Sequence, residues 1–218
     1  GQIRAWFYVL HVISTALFGT HAFKNVVVTG VILGTDGRKM SKNYGNYPDP
    51  KELLQKYGGD ALRLYLLGSP VMHGEDIRIS EDEYRQQVRG MLLVLWNVYN
   101  FFITNATVDV LKPRESLKFK VVSLKSDNIL DRWILSLLAK LTEEVTKDLE
   151  AYDSVSAIVK LKLFVDNLST WYIRRSRRRV GPTVEETHDK QMFYETCYEV
   201  LVTFVKLLAP FVPFFADT

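Results

Sequence analysis

Lys39 and Lys42 bracket a small hydroxyl, Ser41, in the string Asp36-Gly37-Arg38-Lys39-Met40-Ser41-Lys42-Asn43. Ammonium groups spaced this closely on a glycine-containing turn suit a polyanion. Glycine lets the backbone approach, and each lysine is a compact point charge for a phosphate. The string is not the common phosphate loop, which needs G-x-x-x-x-G-K-[ST] at the opening of a helix. A second cationic cluster follows Trp171-Tyr172: Arg174, Arg175, Arg177, Arg178 and Arg179. At about 100° per residue, Arg174, Arg177 and Arg178 fall opposite the apolar stripe Leu161, Val165, Leu168, Tyr172; Arg175 flanks that stripe and Arg179 returns to it. Two readings stay open for this cluster. It is either a solvated face with Glu185, Glu186 and Asp189 near enough to neutralise it, or a guanidinium surface beside aromatics that contacts RNA phosphates and bases.

Other polar residues carry less. His11, His21, His73 and His188 have no partner at metal-ligand spacing, so no metal site is expected, and no Ser-His-Asp or Cys-His arrangement can be argued. Asp76, Glu81, Asp82 and Glu83 read as acids that favour a helix N-terminus.

The elements that must position the two clusters follow from periodicity. Ile3, Phe7, Leu10, Ile13 and Leu17 mark one face of a helix that Gly19 ends. Asn25–Leu33 is apolar without alternation and rich in β-branched residues, as in a parallel strand covered on both faces, and the lysine loop leaves its carboxyl end. Asp49 then caps a helix with Pro50 at its first position, Gly58-Gly59 breaks it, and Asp60 caps the next, Ala61–Leu67. This predicts the closing part of an α/β nucleotide-binding, Rossmann-like domain over residues 1–70. Long amphipathic helices follow, giving an antiparallel α-helical bundle over 71–218 with an irregular linker at 104–126 in which Val121-Val122-Ser123 could pair locally. Its helices are Glu81–Ile103, one capped by Asp127, one through Tyr172, and one capped by Thr187. The fold class is therefore mainly α.

A chain of 218 residues with 47% hydrophobic and 24% charged residues is an ordinary globular composition, and a net charge of +3 does not by itself argue for nucleic acid. The single cysteine, Cys197, excludes an internal disulfide and fits a reducing compartment. The apolar run Met91–Ile103 is too short to span a bilayer, and no secretory leader is seen, so a cytoplasmic location without a membrane is expected. The non-Met start and the aromatic terminus Pro210–Thr218 suggest a piece of a longer polypeptide.

Lys39-Met40-Ser41-Lys42 resembles the K-M-S-K-S signature of class I aminoacyl-tRNA synthetases, with Asn43 in place of the last serine. Gly1-Gln2-Ile3-Arg4-Ala5-Trp6-Phe7 resembles the family's D-Q-x-R-G-W-F segment, with Gly1 for Asp and Ala5 for Gly. Lys56–Tyr65 and Leu208–Phe215 extend the likeness along the chain, and Asn46-Tyr47-Pro48-Asp49-Pro50 with the arginine string is most similar to the isoleucine-specific members. The resemblance implies that Lys39, Met40, Ser41 and Lys42 serve ATP, with Lys39 and Lys42 catalytic, and that Gln2 and Trp6 line the aminoacyl-adenylate pocket. The alternative for Trp6 is a core residue. It also implies that the five arginines meet tRNA(Ile), that isoleucine, ATP and Mg²⁺ are the small partners, and that H-I-G-H and the editing segment lie elsewhere in the polypeptide. The piece alone is expected to be inactive. A valyl- or leucyl-type synthetase, a tRNA-free nucleotidyltransferase of the same superfamily, or a non-catalytic RNA-binding helical module are the competing expectations.

Overall fold

The computed structural model describes residues 3–41, 43–109, 126–185 and 187–217. A wide π-helical turn, Ile3–Phe7, leads into α1 (Tyr8–Phe18). Gly19 ends α1 at φ 65°, returning its N–H to the Thr15 carbonyl. The predicted apolar stripe is present on this helix, yet α1 buries no residue, and Trp6, Tyr8, Leu17 and Phe18 are all more than 60% exposed. Only the inner end is covered, where Phe7 meets Phe23 edge-on at 5.5 Å.

The strand expected over Asn25–Leu33 is much shorter. Its ladder is confined to β1 (Ile32–Leu33), which pairs in parallel with β2 (Ile77–Arg78). Upstream, Gly30 N–H bonds the Val71 carbonyl and Val31 N–H bonds the Asp76 carboxylate. Gly30 is required there, since a Cβ would sit 1.9 Å from the Glu75 carbonyl oxygen. Val26, Val27, Val28 and Val31 remain 43–51% exposed. The composition of this segment codes for burial on two faces, and the described residues supply a partner on one edge. The second strand lies after Pro70, within the stretch read from sequence as helical.

The caps decide the next two helices. Asp49 accepts the Lys51 N–H at 2.8 Å and starts α2 (Pro50–Tyr57), as predicted. For α3 (Gly59–Leu67) the prediction needs correction: Gly58, at φ 81°, takes the cap position, and Asp60 lies inside the first turn. Its buried carboxylate instead accepts the Phe215 N–H at 2.6 Å.

Ser80 caps α4 (Glu81–Gln87), whose first turn holds Glu81, Asp82 and Glu83 where the helix dipole favours them. A π-helical turn, Val88–Leu92, joins it to α5 (Leu93–Val108). That helix continues five residues past the predicted end at Ile103, because Phe101, Phe102 and Ala106 still pack on the core. Residues 110–125 of the expected linker, including Pro113 and Val121-Val122-Ser123, lie outside the described residues. By length and composition alone Glu81–Val108 could cross a bilayer, but Met91, Leu95 and Val98 from it are core residues here.

Asn128, rather than the predicted Asp127, caps α6 (Ile129–Glu150) by accepting the Leu130 N–H. A tight turn at Ala151–Asp153 reverses into α7 (Ser154–Asn167), capped by Asp153. A second π-helical turn, Leu168–Ile173, leads to α8 (Arg174–Ser176) and a 3-10 turn at Arg177–Arg179. Thr187 caps α9 (His188–Leu208), and α10 (Pro213–Ala216) follows. Helices α5, α6, α7 and α9 enclose one core that includes Ile134, Leu161, Tyr172, Phe193 and Phe204. Each such fully buried side chain contributes about 1.5–3 kcal/mol of burial before its ordering entropy is subtracted.

The helix α3 ties the two regions together. Ala61 and Tyr65 face a small cluster with Leu53 and Tyr84, while Leu64 faces the bundle core. Arg63 donates to the carbonyls of Pro210 and Phe211 at 2.8 and 3.0 Å, and Ser154 Oγ donates to the Leu67 carbonyl at 2.7 Å.

Candidate functional site

Two places bring cationic side chains into a defined frame. In the lysine loop, Gly34 N–H bonds the Arg38 carbonyl and Leu33 bridges to Lys39, making a narrow turn closed by Gly37 at φ 78°. The buried side chain of Asn46 holds the turn together. Its amide donates to the Asp36 carboxylate at 2.9 Å and to the Lys39 carbonyl at 3.3 Å, and its carbonyl oxygen accepts the Ser41 N–H at 3.1 Å. Gly34 lies so close to Asn46 that a Cβ would come within 2.3 Å of its backbone carbonyl oxygen. The Arg38 N–H and the Asn46 amide keep the Asp36 carboxyl below the usual carboxylate range.

The result is a hydrogen-bonded base from which Lys39 projects, exposed, with Met40 and Ser41 half-buried behind it. Ser41 Oγ accepts the Asn43 N–H at 3.3 Å, and its carbonyl closes the following turn to Tyr44 and Gly45. Lys42 and Gln2 lie outside the described residues. Trp6 sits on the first π-helical turn, 61% exposed, and no hydrogen bond or ring contact among the described residues joins it to the loop. The core alternative for Trp6 is not what this structure shows.

The arginine turn is held differently. Asp131, fully buried, forms a two-point ion pair with Arg179, both bonds at 2.7 Å, and also accepts from Ser126 and Tyr172. Asp189 closes the other side of the same guanidinium at 2.8 Å. Burial works against the Arg179 charge, but the two carboxylates outweigh it and raise its pKa. A second buried pair, Lys190 with Asp109 at 3.0 Å, stands beside it, and Asp109 also accepts the Gly181 N–H. These pairs pin the chain from Ser176 to Lys190 to the ends of α5, α6 and α9.

This narrows the expectation that all five arginines meet RNA. Arg179 is an internal strut, its guanidinium engaged on both sides by carboxylates. Arg174, Arg175, Arg177 and Arg178 are exposed. Arg175 stacks on exposed Trp171 at 4.2 Å from the ring centroid, and Arg177 lies over Phe101 at 5.9 Å. A pinned base carrying four outward guanidiniums, two of them over aromatic rings, can take phosphates and unstacked bases.

The structure also exposes residues that sequence reading missed. Asp131 had a signal: it falls in step with Ile134, Leu138, Leu141 and Val145 on the buried face of α6, where an acid needs a partner. Asn46 had none beyond its place in the string after the loop. His73 meets Asp153 at 3.2 Å, and the Ser156 hydroxyl and N–H together with His73 hold that carboxyl at about 2. No group of three or more metal-ligating side chains occurs among the described residues.

Residues 1–80 match the family model for tRNA synthetases class I (I, L, M and V), and residues 131–218 match that for the anticodon-binding domain of tRNA ligase. The chain belongs to the class I tRNA synthetases. This synthetase chain is 42% identical over its whole length to isoleucine–tRNA ligase of Treponema denticola and 41% identical to the cytoplasmic isoleucine–tRNA ligase of Saccharomyces cerevisiae. A relative of the same name from Protochlamydia amoebophila is 44% identical over 99% of the chain. The valyl- and leucyl-type alternatives are not favoured by these relatives. The chain spans about a fifth of their length, 20% of each. The same fold occurs in the Agrobacterium radiobacter leucyl-tRNA synthetase solved as a ternary complex with tRNA and LeuAMS, at TM-score 0.70 and 19% identity over 97% of this chain and 24% of that one. It also occurs in Mycobacterium tuberculosis methionyl-tRNA synthetase in complex with methionyl-adenylate, at TM-score 0.68 and 23% identity over 87% and 36% of the two chains. The mainly α architecture predicted from sequence, a small parallel α/β part followed by a helical bundle, is the one found.

Proposed function

We propose that this chain works within an isoleucine–tRNA ligase of the cytoplasm, supplying the lysine loop for ATP and a helical surface for tRNA(Ile). The observation that carries the reading is the Asn46-braced loop after β1, which presents Lys39 to solvent. In this reading the isoleucine carboxylate attacks the α-phosphorus of ATP, the α–β phosphoanhydride breaks, and pyrophosphate leaves with the bridging electron pair. Charge grows on the leaving group, and the two ammonium groups stabilise it more in the transition state than in bound ATP. Ser41 and the loop amides add hydrogen bonds, while Gln2 and Trp6 face the adenylate. Mg²⁺, arriving with ATP, would neutralise part of the phosphate charge, and the described loop residues offer it no uncommitted carboxylate. A ribose hydroxyl at the tRNA 3′ end then attacks the adenylate's carbonyl carbon, the acyl–phosphate bond breaks and AMP leaves, with Arg174, Arg175, Arg177 and Arg178 holding the RNA.

The test is Lys42→Ala in the full-length ligase. Pre-steady-state pyrophosphate release should slow on the order of a hundred- to a thousand-fold, with isoleucine affinity nearly unchanged. An unaltered activation rate with normal ATP binding removes the loop from the mechanism.

A further inference from the structure

Away from the lysine loop and the arginine turn, α4 and its π-helical turn meet α7 in an open concavity of about 440 Å³, lined by Gln86, Gln87, Arg89, Gly90 and Lys162. We propose that this concavity is a separate RNA contact, binding a backbone phosphodiester between Lys162 and Arg89. The proposal rests on the functional reading above, since it takes the same RNA as the partner.

The lining carries two cations and two amides and no carboxylate. Lys162 is half-buried, and its ammonium donates to the Gln87 amide oxygen at 2.6 Å, a neutral partner that fixes its direction without cancelling its charge. Burial accordingly pushes its pKa down, so an arriving anion gains more from it than from a solvated lysine. Neighbouring charges are paired or set apart. Arg85 pairs with Asp82 and Glu81, and Asp166, one turn beyond Lys162, is exposed and makes no ion pair with it. Arg89 is exposed and makes no ion pair among the described residues. Gly90 lines the same concavity, and a Cβ there would meet nothing within 4 Å, so a side chain at this position would take up space a ligand could use. π-helical turns such as Val88–Leu92 occur frequently where a helix carries function.

The experiment measures tRNA(Ile) binding by the full-length ligase between about 50 and 200 mM KCl. Lys162→Gln and Arg89→Gln should each flatten the log–log salt slope by about 0.9 for a duplex phosphate or about 0.7 for a single strand, and the double variant by about twice that. Each phosphate so released accounts for roughly a 2.6- to 3.5-fold share of the affinity that falls away across that salt range. Gly90→Ala is the packing-neutral companion: melting should hold or rise, while tRNA affinity falls. Inorganic phosphate, titrated while the Lys162 ζ signal is followed by NMR, separates a free small anion from RNA. Saturation by phosphate with no response to tRNA overturns the proposal. If Arg174→Gln/Arg177→Gln/Arg178→Gln flattens the slope and the concavity variants do not, the concavity falls and the functional reading stands. If the wild-type ligase shows no salt-dependent tRNA binding, both fall.

Discussion

Asn46 braces the lysine loop through groups five to ten residues away in the chain, whereas Asp131 reaches 48 residues to hold the arginine turn. The loop's bonds are local and mostly to backbone, with Lys39 left in water. The turn's bonds are between full charges, one of them completely buried. A local brace can open without unfolding its surroundings, which suits the phosphate-following role proposed for the loop. A buried ion pair joining α6, α9 and the 3-10 turn opens only with the bundle, which suits the RNA-matching role proposed for this surface.

The largest effect that would test this contrast is at the buried pair. Asp131→Ala leaves the Arg179 guanidinium largely buried with half its partners gone, and breaking such a pair from one side costs about 3–5 kcal/mol. Denaturant unfolding should register that loss across the whole bundle. A loss below about 1 kcal/mol would mean that Arg179 relaxes to solvent and that the turn is not pinned as described.

Asn46→Ala probes the other side. It removes the acceptor for Ser41 N–H and the donor to the Lys39 carbonyl, each costing about 1–3 kcal/mol if left unpaired. The expected result is local: faster amide exchange at Ser41, by roughly five- to 150-fold, and slower adenylate formation, with bundle melting nearly unchanged. Loss of global stability instead would erase the distinction between the two regions.

How much of this was legible in the sequence follows the same division. The loop after β1, the helix stripes and the Asp49 and Thr187 caps were readable because their signals lie within a few residues of each other. The strand over Asn25–Leu33 was overextended because a buried parallel strand depends on neighbours that its own composition does not supply. Asp60 was misread as a cap because its partner, Phe215, is 155 residues away. Arg179 could be placed on the stripe side by periodicity, but its separation from the other four arginines needed Asp131 and Asp189 beside it. Local chemistry is written in the sequence; which charges are cancelled is written in the packing.

The smallest expected change in stability, and the sharpest separation of neighbours, is at the exposed arginines. Arg174, Arg177 and Arg178 make no ion pair among the described residues, so replacing all three with Gln should alter unfolding by no more than about 0.5 kcal/mol per site. Those guanidiniums repel one another, so the change could even be favourable. Binding should respond in the opposite way. Every phosphate that no longer meets a guanidinium flattens the salt slope by about 0.7–0.9, giving roughly two to three units for the triple variant. Arg179→Gln, one residue further on, should do the reverse, unfolding the bundle with any binding loss following from that. If the triple variant melts early or keeps its slope, the exposed arginines belong to the frame and the RNA assignment for them fails.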